Sequence, residues 1–320
     1  MPRIGFLGPP GTFTEQALLG QGDLAAEELV PLASIPDVLA ATTAGEVDLG
    51  FVPVENAIEG TVNVTLDTLA FDTSLLIQRE VVLPVDLHLM ARPGTKLEDV
   101  RTVVSMPMAT AQVRGFLGRE LPDVTTVAAN STAEAARIVG EDGGDGMAAV
   151  GPAHAGELYG LDVLAAGIED HPDNATRFVV VAAEGVPAPT GHDKTTIVCF
   201  QRVDQPGSLL AMLQEFAARA INLTKLESRP TKRGLGDYCF IIDLEGHVAD
   251  ELVADCLRDL KAKTLDVKFL GSYPAAGEHG ESVRRDADAA WRAADAWVSD
   301  LRRGIASPSE GWQSGRMRRS

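Results

Sequence analysis

A hydroxyl and a cation stand side by side in Thr176-Arg177-Phe178, directly before the apolar, strand-like run at residues 179–182. Threonine can donate one hydrogen bond, and the planar guanidinium of arginine can bind a carboxylate with two. At the edge of a strand the same pair is often only a turn and a solvated charge. The tripeptide is therefore interpreted together with the polar groups that the fold brings near it.

Two further segments place polar groups at the end of a predicted strand. Glu55 and Asn56 follow an apolar strand at its carboxyl end, where open α/β sheets bind ligands. The glycine-bearing turn at residues 8–12 leads from a strand into a helix, so the amides near Gly11 and Thr12 form a candidate anion seat. Each segment also fits a plainer role, a solvated helix-capping loop for the first and an ordinary turn for the second.

Short apolar strands alternate with amphipathic helices through the first half of the chain, which predicts a mostly parallel sheet covered by helices. An extended stretch at residues 75–91 is long enough to cross to a second lobe. Ser105 and the segments 130–132 and 151–152 each follow a strand of this second set. Because such strand ends collect on one side of a sheet, we expect a cleft between two lobes with Thr176 at its hinge.

The pattern changes after the linker-like segment at residues 187–191. Strands are predicted at 195–201, 223–228, 238–244 and 267–270, and helices at 208–219 and 250–262. This β-α-β-β-α-β order is typical of a ferredoxin-like domain. A last helix is predicted near residues 283–301, with an apolar stripe through Trp291, and the tail that follows is predicted to be disordered.

Composition excludes several classes of partner. The formal net charge of the 320 residues is −18, and no basic patch for nucleic acid or an anionic membrane is present outside the last few residues. No apolar run is long enough to span a bilayer, and the N-terminus lacks a signal-peptide pattern. We therefore expect a cytoplasmic protein of about two globular domains.

Neither the cysteines nor the histidines show the spacing of a metal site. Cys199, Cys239 and Cys256 favour reduced core thiols, and the six histidines are scattered. The turn at residues 8–12 also lacks the spacing of a dinucleotide fingerprint and the lysine of a phosphate-binding loop. We expect neither a metal nor a cofactor.

Four groups of residues, in this order and spacing, resemble the prephenate dehydratases over nearly the whole chain. They are Gly8-Pro9-Pro10-Gly11-Thr12-Phe13-Thr14, Val52-Pro53-Val54-Glu55-Asn56, Asn174-Ala175-Thr176-Arg177-Phe178, and Gly207-Ser208-Leu209 with Glu227-Ser228-Arg229-Pro230. Each group is weak alone, whereas together they are specific. The resemblance implies a two-lobed, periplasmic-binding-protein-like (type II) catalytic domain followed by an ACT domain that binds phenylalanine.

On this resemblance the chain divides into four parts. The catalytic domain is expected at residues 1–185, with lobe one at about 1–84 and 165–185 and lobe two at about 85–164. The ACT domain is expected at 194–273, a C-terminal helix at 282–303, and the disordered tail at 304–320.

The family converts prephenate to phenylpyruvate, water and carbon dioxide in phenylalanine biosynthesis, without a cofactor. The enzyme has to hold a dianion and help the ring hydroxyl leave as water. The resemblance makes Thr176 the hydrogen-bond donor to that hydroxyl, with Glu55 as the rival proton donor. Arg177 and the helix start at Gly11 and Thr12 are expected to hold the carboxylates.

The resemblance adds Asn56, Ser105, Gln112 and Phe178 to the substrate site. Three positions depart from the family pattern. Met106 stands where many members have histidine, Ala57 where serine is frequent, and Ser208 where alanine is frequent. The first departure removes a histidine acid from that position.

The C-terminal motifs are expected to border the phenylalanine site between paired ACT domains. The residues concerned are Gly207, Ser208, Leu209, Glu227, Ser228 and Arg229. A helix-starting turn for Gly207 and a solvated charge for Arg229 are the plainer interpretations. We expect bound phenylalanine to inhibit, although some ACT effectors activate, and ACT pairing with the Trp291 stripe favours a homodimer or homotetramer.

Two other functions fit the same sequence. An arogenate dehydratase acts on the amino analogue of prephenate with the same scaffold, and the sequence does not separate the two substrates. A non-catalytic amino-acid sensor would join a binding-protein-like module to an ACT domain. The presence of both Thr176-Arg177-Phe178 and Glu55-Asn56 is evidence against the sensor.

Overall fold

The structure is a computed structural model that describes residues 1–202, 205–231, 237–276, 294 and 296–303. Most of the helix predicted at 282–303, including Trp291, and all of the tail at 304–320 lie outside these residues. Within them the strands form three sheets, two in the N-terminal part of the chain and one in the C-terminal part.

Alternating strands and helices build the first lobe. Its elements are β1 (Arg3–Leu7), α1 (Phe13–Leu19), α2 (Gly22–Ala25), β2 (Glu28–Leu32), α3 (Ile35–Ala44), β3 (Leu49–Asn56), β4 (Gly60–Thr61), α4 (Asn63–Asp67) and β5 (Leu76–Pro84). Local caps set the bounds of helix α3. The Ser34 side chain accepts a hydrogen bond from the Asp37 amide, and Gly45 ends the helix in the left-handed conformation.

Strand β5 leads directly into the second lobe, as the extended stretch at residues 75–91 predicts. The elements there are β6 (His88–Ala91), β7 (Thr102–Ser105), α5 (Pro107–Gln112), α6 (Arg114–Glu120), β8 (Thr125–Ala128), α7 (Thr132–Arg137), β9 (Met147–Gly151), α8 (Ala153–Tyr159) and β10 (Asp162–Ala165). The sheet order is β10-β6-β9-β7-β8. Strand β7 is parallel to β8 and β9, whereas β6 is antiparallel to both of its neighbours.

Strand β11 (Ala175–Ala182) returns the chain to the first lobe, whose sheet order is β2-β1-β3-β11-β5. It is antiparallel to β3 and β5, with Thr176 opposite Asn56 and Arg177 opposite Glu55. This inserted return strand confirms the two-lobed, type II arrangement. Successive side chains of a strand point to opposite faces, so Thr176 and Arg177 face different parts of the molecule.

The C-terminal domain has the predicted β-α-β-β-α-β order. Its elements are β12 (Asp193–Phe200), α9 (Ser208–Ala217), β13 (Leu223–Pro230), β14 (Tyr238–Glu245), α10 (Glu251–Lys263) and β15 (Asp266–Pro274). The strands form one antiparallel sheet in the order β13-β14-β12-β15, which confirms the ferredoxin-like fold.

Both faces of the C-terminal sheet are covered. Helices α9 and α10 pack on one face, and the other face shares a continuous apolar cluster with the first lobe, in which Ile241 and Leu270 meet Val52 and Leu69. At Gly271 a Cβ atom would lie 2.5 Å from the Ile77 carbonyl oxygen, so glycine is needed for the close approach of β15 to β5. The C-terminal domain is therefore packed against the lobe that carries β11.

The three cysteines are free and buried, which confirms the prediction of core thiols. Burial raises the pKa of Cys199 and Cys256 to about 12 and that of Cys239 to about 11. The thiols are therefore protonated and unreactive at neutral pH. Among the described residues, no helix is long and apolar enough to cross a bilayer.

Candidate active site

Thr176 lies at the hinge, half-buried, with its side chain directed to the end of β3. The Asn56 side-chain amide donates a hydrogen bond to Thr176 Oγ1 at 2.9 Å. The side-chain oxygen of Asn56, Oδ1, accepts hydrogen bonds from the backbone amides of Ile58 and Glu59, each at 3.0 Å. Because those two amides can only donate, they fix which end of the Asn56 side chain faces Thr176.

This arrangement leaves the Thr176 hydroxyl proton free to be donated. Its oxygen already accepts from Asn56, and no acceptor for its proton is found in the part of the chain that the structure describes. A hydroxyl held in this way is a ready hydrogen-bond donor to an oxygen placed above it.

Asn174 and Gln112 extend the polar cluster at the hinge. The Asn174 amide donates to Gln112 Oε1 at 3.0 Å, and Gln112 Nε2 donates to Glu59 Oε1 at 3.3 Å. Since Gln112 lies on α5 of the second lobe, these contacts hold the two lobes together at the hinge. Asn174 is buried, and its side-chain oxygen has no hydrogen-bond partner among the described residues.

The turn between β1 and α1 is held by its own side chains. Thr12 caps α1 by accepting a hydrogen bond from the Glu15 amide, and the Glu15 carboxylate accepts one from the Gly11 amide at 2.5 Å. Glu15 also lies 3.0 Å from Nε2 of His154, on α8 of the second lobe. The Gly11 amide that was expected to bind a substrate carboxylate thus already binds a carboxylate of the protein.

A cavity of about 580 Å³ separates the two lobes beside this turn. Its lining consists of Leu7, Gly8, Pro9, Thr12, Phe13, Thr14, Ala33, Met106, Asn130, Ser131, Thr132, Glu134, Arg137 and Tyr159. The turns after β1, β7 and β8 therefore meet across one cleft, as predicted. Thr176 and Asn56 do not line this cavity, because they lie at the hinge, where Gln112 joins the lobes.

Two residues that were expected to contact substrate, Ser105 and Phe178, are buried in the protein core. Ser105 is fully buried, and its hydroxyl donates to the Val150 carbonyl at 2.8 Å. Phe178 is 1% exposed and stacks on Phe51 with ring centroids 5.2 Å apart. The structure therefore gives both residues a role within the protein, since the Ser105 hydroxyl proton already has its acceptor and the Phe178 ring lies inside the core of the first lobe. Their contact with substrate stays a prediction.

The Arg177 guanidinium points away from Thr176, into the interface with the C-terminal domain. Its Nε contacts Glu80, its Nη1 lies 2.6 Å from an Asp243 carboxylate oxygen, and its Nη2 donates to the Tyr273 hydroxyl at 3.0 Å. Arg177 was expected to hold a substrate carboxylate, but in this structure its guanidinium binds carboxylates and a hydroxyl of the protein. Because consecutive side chains of β11 point to opposite faces of the sheet, Thr176 faces the hinge of the cleft and Arg177 faces the domain interface.

Charge explains why the buried guanidinium stays ionised. Burial alone lowers the pKa of Arg177, but the nearby Asp243, Tyr273 and Glu80 raise it well above its usual value. Burial also raises the pKa of Tyr273, so its hydroxyl remains neutral. The ion pairs are formed away from water. Glu80 also binds Lys194 Nζ at 2.8 Å, so it is chiefly Asp243 that the loss of Arg177 would leave as an uncompensated charge.

Glu55 lies on the same face of the sheet as Arg177. Its Oε2 is 3.2 Å from Lys225 Nζ and 3.5 Å from Arg177 Nη1. The structure therefore directs the rival proton donor toward cations of the domain interface and not toward the Thr176 hydroxyl.

The family of the chain follows from comparison with known proteins. The profile described as Prephenate dehydratase matches residues 4–186. A prephenate dehydratase of Mycolicibacterium gilvum (strain PYR-GCK) is 46% identical over 316 residues, which cover 95% of this chain and 99% of that protein. The chain belongs to the prephenate dehydratase family. The profile of the ACT domain matches residues 195–262, so the C-terminal domain is an ACT domain.

Solved structures share the whole architecture. A prephenate dehydratase from Arthrobacter aurescens, solved in complex with L-Phe, is 40% identical with a TM-score of 0.86, covering 94% of this chain and 100% of its own. A structure described as GqqA, a novel type of quorum quenching acylase, is 30% identical with a TM-score of 0.76, covering 86% of this chain and 98% of its own. The fold is thus shared by proteins described with different reactions.

The ACT motif residues of β13 contact the catalytic domain. Glu227 accepts a hydrogen bond from Thr61 at 2.6 Å, and Arg229 binds Asp67 and Asn63 on α4. Ser228 faces the other side of β13 and is exposed. Two of the expected effector-site residues therefore already join the ACT domain to the segment that follows Asn56.

The other ACT motif residues start helix α9. Gly207 has a φ of 89° at the N-cap, Ser208 Oγ donates to the Gln205 carbonyl at 2.8 Å, and Leu209 packs on the domain core. Ser208 also lines a cavity of about 440 Å³ between α9 and α10. In the sheet, Phe200 and Arg229 both pair with Cys239, so the start of α9 and the end of β13 lie at the same end of the domain.

Sequence reasoning missed three residues of the Arg177 network. Glu80, Asp243 and Tyr273 are each at most 4% exposed. Asp243 directly follows the apolar residues 239–242, and a carboxylate in such a run is rarely buried without a cation, so Asp243 carried a detectable signal in the sequence. Glu80 follows Gln78 and Arg79 in a mixed strand and carried no such signal. No group of metal-binding side chains was found among the residues that the structure describes.

Proposed function

We propose that this chain catalyses the decarboxylating dehydration of prephenate to phenylpyruvate. The observation that supports this most directly is the Thr176 hydroxyl, whose oxygen accepts from Asn56 and whose proton is free to be donated at the hinge. The family fold and the match of both domains agree with it.

The reaction requires little covalent chemistry from the protein. The ring carboxylate leaves as carbon dioxide, its electron pair enters the ring, and the bond from the ring to the hydroxyl oxygen breaks. The departing hydroxide takes up a proton and becomes water. Thr176 is a weak acid, so we assign it a hydrogen bond to the leaving oxygen in the transition state, while the proton comes finally from solvent.

The substrate carboxylates need a cation other than Arg177. Arg137 lines the interlobe cavity, and its partners Glu141 and Asp142 are exposed residues of its own lobe. We propose that Arg137 attracts a substrate carboxylate and that the Gln112–Glu59 contact opens to bring the ring to Thr176. Arg137→Gln should then raise KM several-fold and leave kcat within about twofold, the pattern of lost uniform binding.

The second half of the proposal concerns regulation. L-Phe is bound by the Arthrobacter aurescens relative, and we propose the same effector for the ACT domain of this chain. The start of α9 at Gly207 and the end of β13 at Arg229 would form its site, with a second ACT domain completing it. We further propose a homodimer or homotetramer, because Leu226 and Ser228 of the edge strand β13 are exposed and could contact a second chain. We propose that it acts in the cytoplasm.

The test is phenylpyruvate formation from prephenate by the purified chain, with and without L-Phe. We expect turnover that falls when L-Phe is added, and a weaker response in Gly207→Ala. Arogenate is assayed in parallel, because a preference for it would change the substrate and keep the reaction. Absence of turnover of both substrates would contradict the proposal, and acylase activity, suggested by the likeness to GqqA, would then be assayed next.

A further inference from the structure

Four groups converge on the Arg177 guanidinium, and two of them belong to the ACT domain. Glu80 lies on the neighbouring strand β5 of the first lobe. Asp243 on β14 and Tyr273 on β15 reach across the interface, with contacts of 2.6 and 3.0 Å. Glu55 completes the set at 3.5 Å.

Each ACT partner of the guanidinium is itself held in place. Thr196 donates to the second Asp243 oxygen at 2.7 Å and lies 2.7 Å from the Tyr273 hydroxyl. The side chains of Glu80 and Asp243 are only 1% and 3% exposed, and Tyr273 is fully buried. Arg177 Nε contacts Glu80 as an ion pair without hydrogen-bond geometry, whereas both Nη atoms have hydrogen-bond partners in the ACT domain. Buried ion pairs and hydrogen bonds of this kind are costly to break, so they fix the position of Arg177.

The same network fixes Thr176, because the two residues share one peptide bond. Strand β11 lies between β3 and β5, and Thr176 meets Asn56 on one face while Arg177 meets the ACT domain on the other. A shift of about 1 Å at a reacting group can lower a rate by about 100-fold. The ACT domain is thus placed where it can set the geometry of the hydroxyl.

We propose that Asp243 and Tyr273 are positioning residues for the reaction, acting through Arg177 on the placement of Thr176. The proposal rests on the proposed dehydratase function. It makes the ACT domain part of the apparatus that orients Thr176, in addition to carrying an effector site. It also gives the second residue of the Thr176-Arg177-Phe178 motif a role without substrate contact.

A matched control exists in the same interface. Lys268 on β15 donates three hydrogen bonds to the carbonyls of Leu69, Ala70 and Thr73, at 2.7, 3.0 and 2.6 Å. This contact also joins the ACT domain to the first lobe and is partly buried, but it does not involve β11. Lys268→Met therefore weakens the interface without touching the strand that carries Thr176.

The test compares kcat and KM of Tyr273→Phe, Asp243→Asn and Lys268→Met in the full-length chain. We expect the first two to lower kcat by about 10- to 100-fold with KM within about twofold. Lys268→Met is expected to lower the melting temperature and keep kcat. In a Thr176→Val background, Tyr273→Phe should lower kcat no further, since the hydroxyl it positions is already absent.

A second readout needs no substrate. Amide hydrogen exchange of residues 174–178 should become faster in Tyr273→Phe and Asp243→Asn than in Lys268→Met. Wild-type kcat in Tyr273→Phe, an undiminished Tyr273→Phe effect in the Thr176→Val background, or equal exchange in all three variants would overturn the proposal. If the wild-type chain does not turn over prephenate but the three variants show the expected exchange pattern, only the catalytic function is refuted. The effect of Asp243 and Tyr273 on the position of residues 174–178 would still be supported.

Discussion

Thr176 and Arg177 are consecutive residues on one strand, yet they lie in opposite environments. Thr176 is half-buried and is held by a neutral hydrogen bond from Asn56, with its proton free. Arg177 is enclosed by carboxylates and a tyrosine from two domains. A short motif can therefore contain one residue that takes part in the reaction and another that holds the strand in place through the domain interface.

The largest expected effect is on stability, through Arg177 and the domain interface. Arg177→Met leaves Glu80 and Asp243 in the interface without this cation, and should reduce the free energy of unfolding by about 3–5 kcal/mol. Urea denaturation measures the loss. Arg79→Met is the control, because Arg79 pairs with Asp23 at the surface and should contribute less than about 1 kcal/mol. Equal losses in the two variants would show that the Arg177 network is not a special feature of the interface.

On the reaction side, Asn56→Asp tests the direction of one hydrogen bond. An aspartate cannot donate to Thr176, so the Thr176 hydroxyl would donate to the carboxylate and lose its free proton. We expect kcat to fall by about 100-fold, as for the loss of one transition-state donor. Steady-state kinetics with prephenate measures the effect.

Asn56→Ala is the matched variant for this prediction. It removes the same donor without offering an acceptor, so the Thr176 proton stays free and kcat should fall less, by about tenfold. An Asn56→Asp enzyme as active as Asn56→Ala would mean that the direction of the hydrogen bond is unimportant.

The smallest effect concerns thiol reactivity as a reporter of the interface. Cys239 lies in the apolar cluster shared by the two domains, whereas Cys199 and Cys256 lie in the core of the ACT domain. Burial raises the pKa of all three thiols, so native protein should react very slowly at pH 8. In Arg177→Met we expect Cys239 alone to react faster, by about tenfold, because the interface opens locally.

Mass spectrometry of the labelled protein assigns each thiol. Faster reaction of all three cysteines together would indicate that the ACT domain unfolds as a whole. That result would contradict a role of Arg177 specific to the interface.

Much of the fold could be predicted from the pattern of strands and helices in the sequence. Alternating apolar strands and capped helices predicted both lobes, and the β-α-β-β-α-β order predicted the ferredoxin-like domain. Strand β10 was missed, because it has only four residues at a sheet edge and its sequence shows no alternation of apolar and polar residues.

The candidate site was only partly predictable. The pairing of Asn56 with Thr176 follows from the strand order, but the direction of Arg177 follows from which face of β11 the ACT domain covers. That depends on contacts between residues more than sixty positions apart, such as Arg177 with Asp243. Ser105 had the right residue type, and only its bond to the Val150 carbonyl reveals a structural role.

The role of Thr176 is tested by comparing prephenate turnover of the Thr176→Val and Thr176→Ser variants. Valine keeps the shape of threonine without the hydroxyl, so we expect kcat to fall by about 10²- to 10³-fold while the free energy of unfolding changes by about 1 kcal/mol or less. Serine keeps the hydroxyl and should stay within about tenfold of the wild type. A Thr176→Val enzyme that forms phenylpyruvate at the wild-type rate would contradict the assignment of Thr176 as the donor to the leaving hydroxyl.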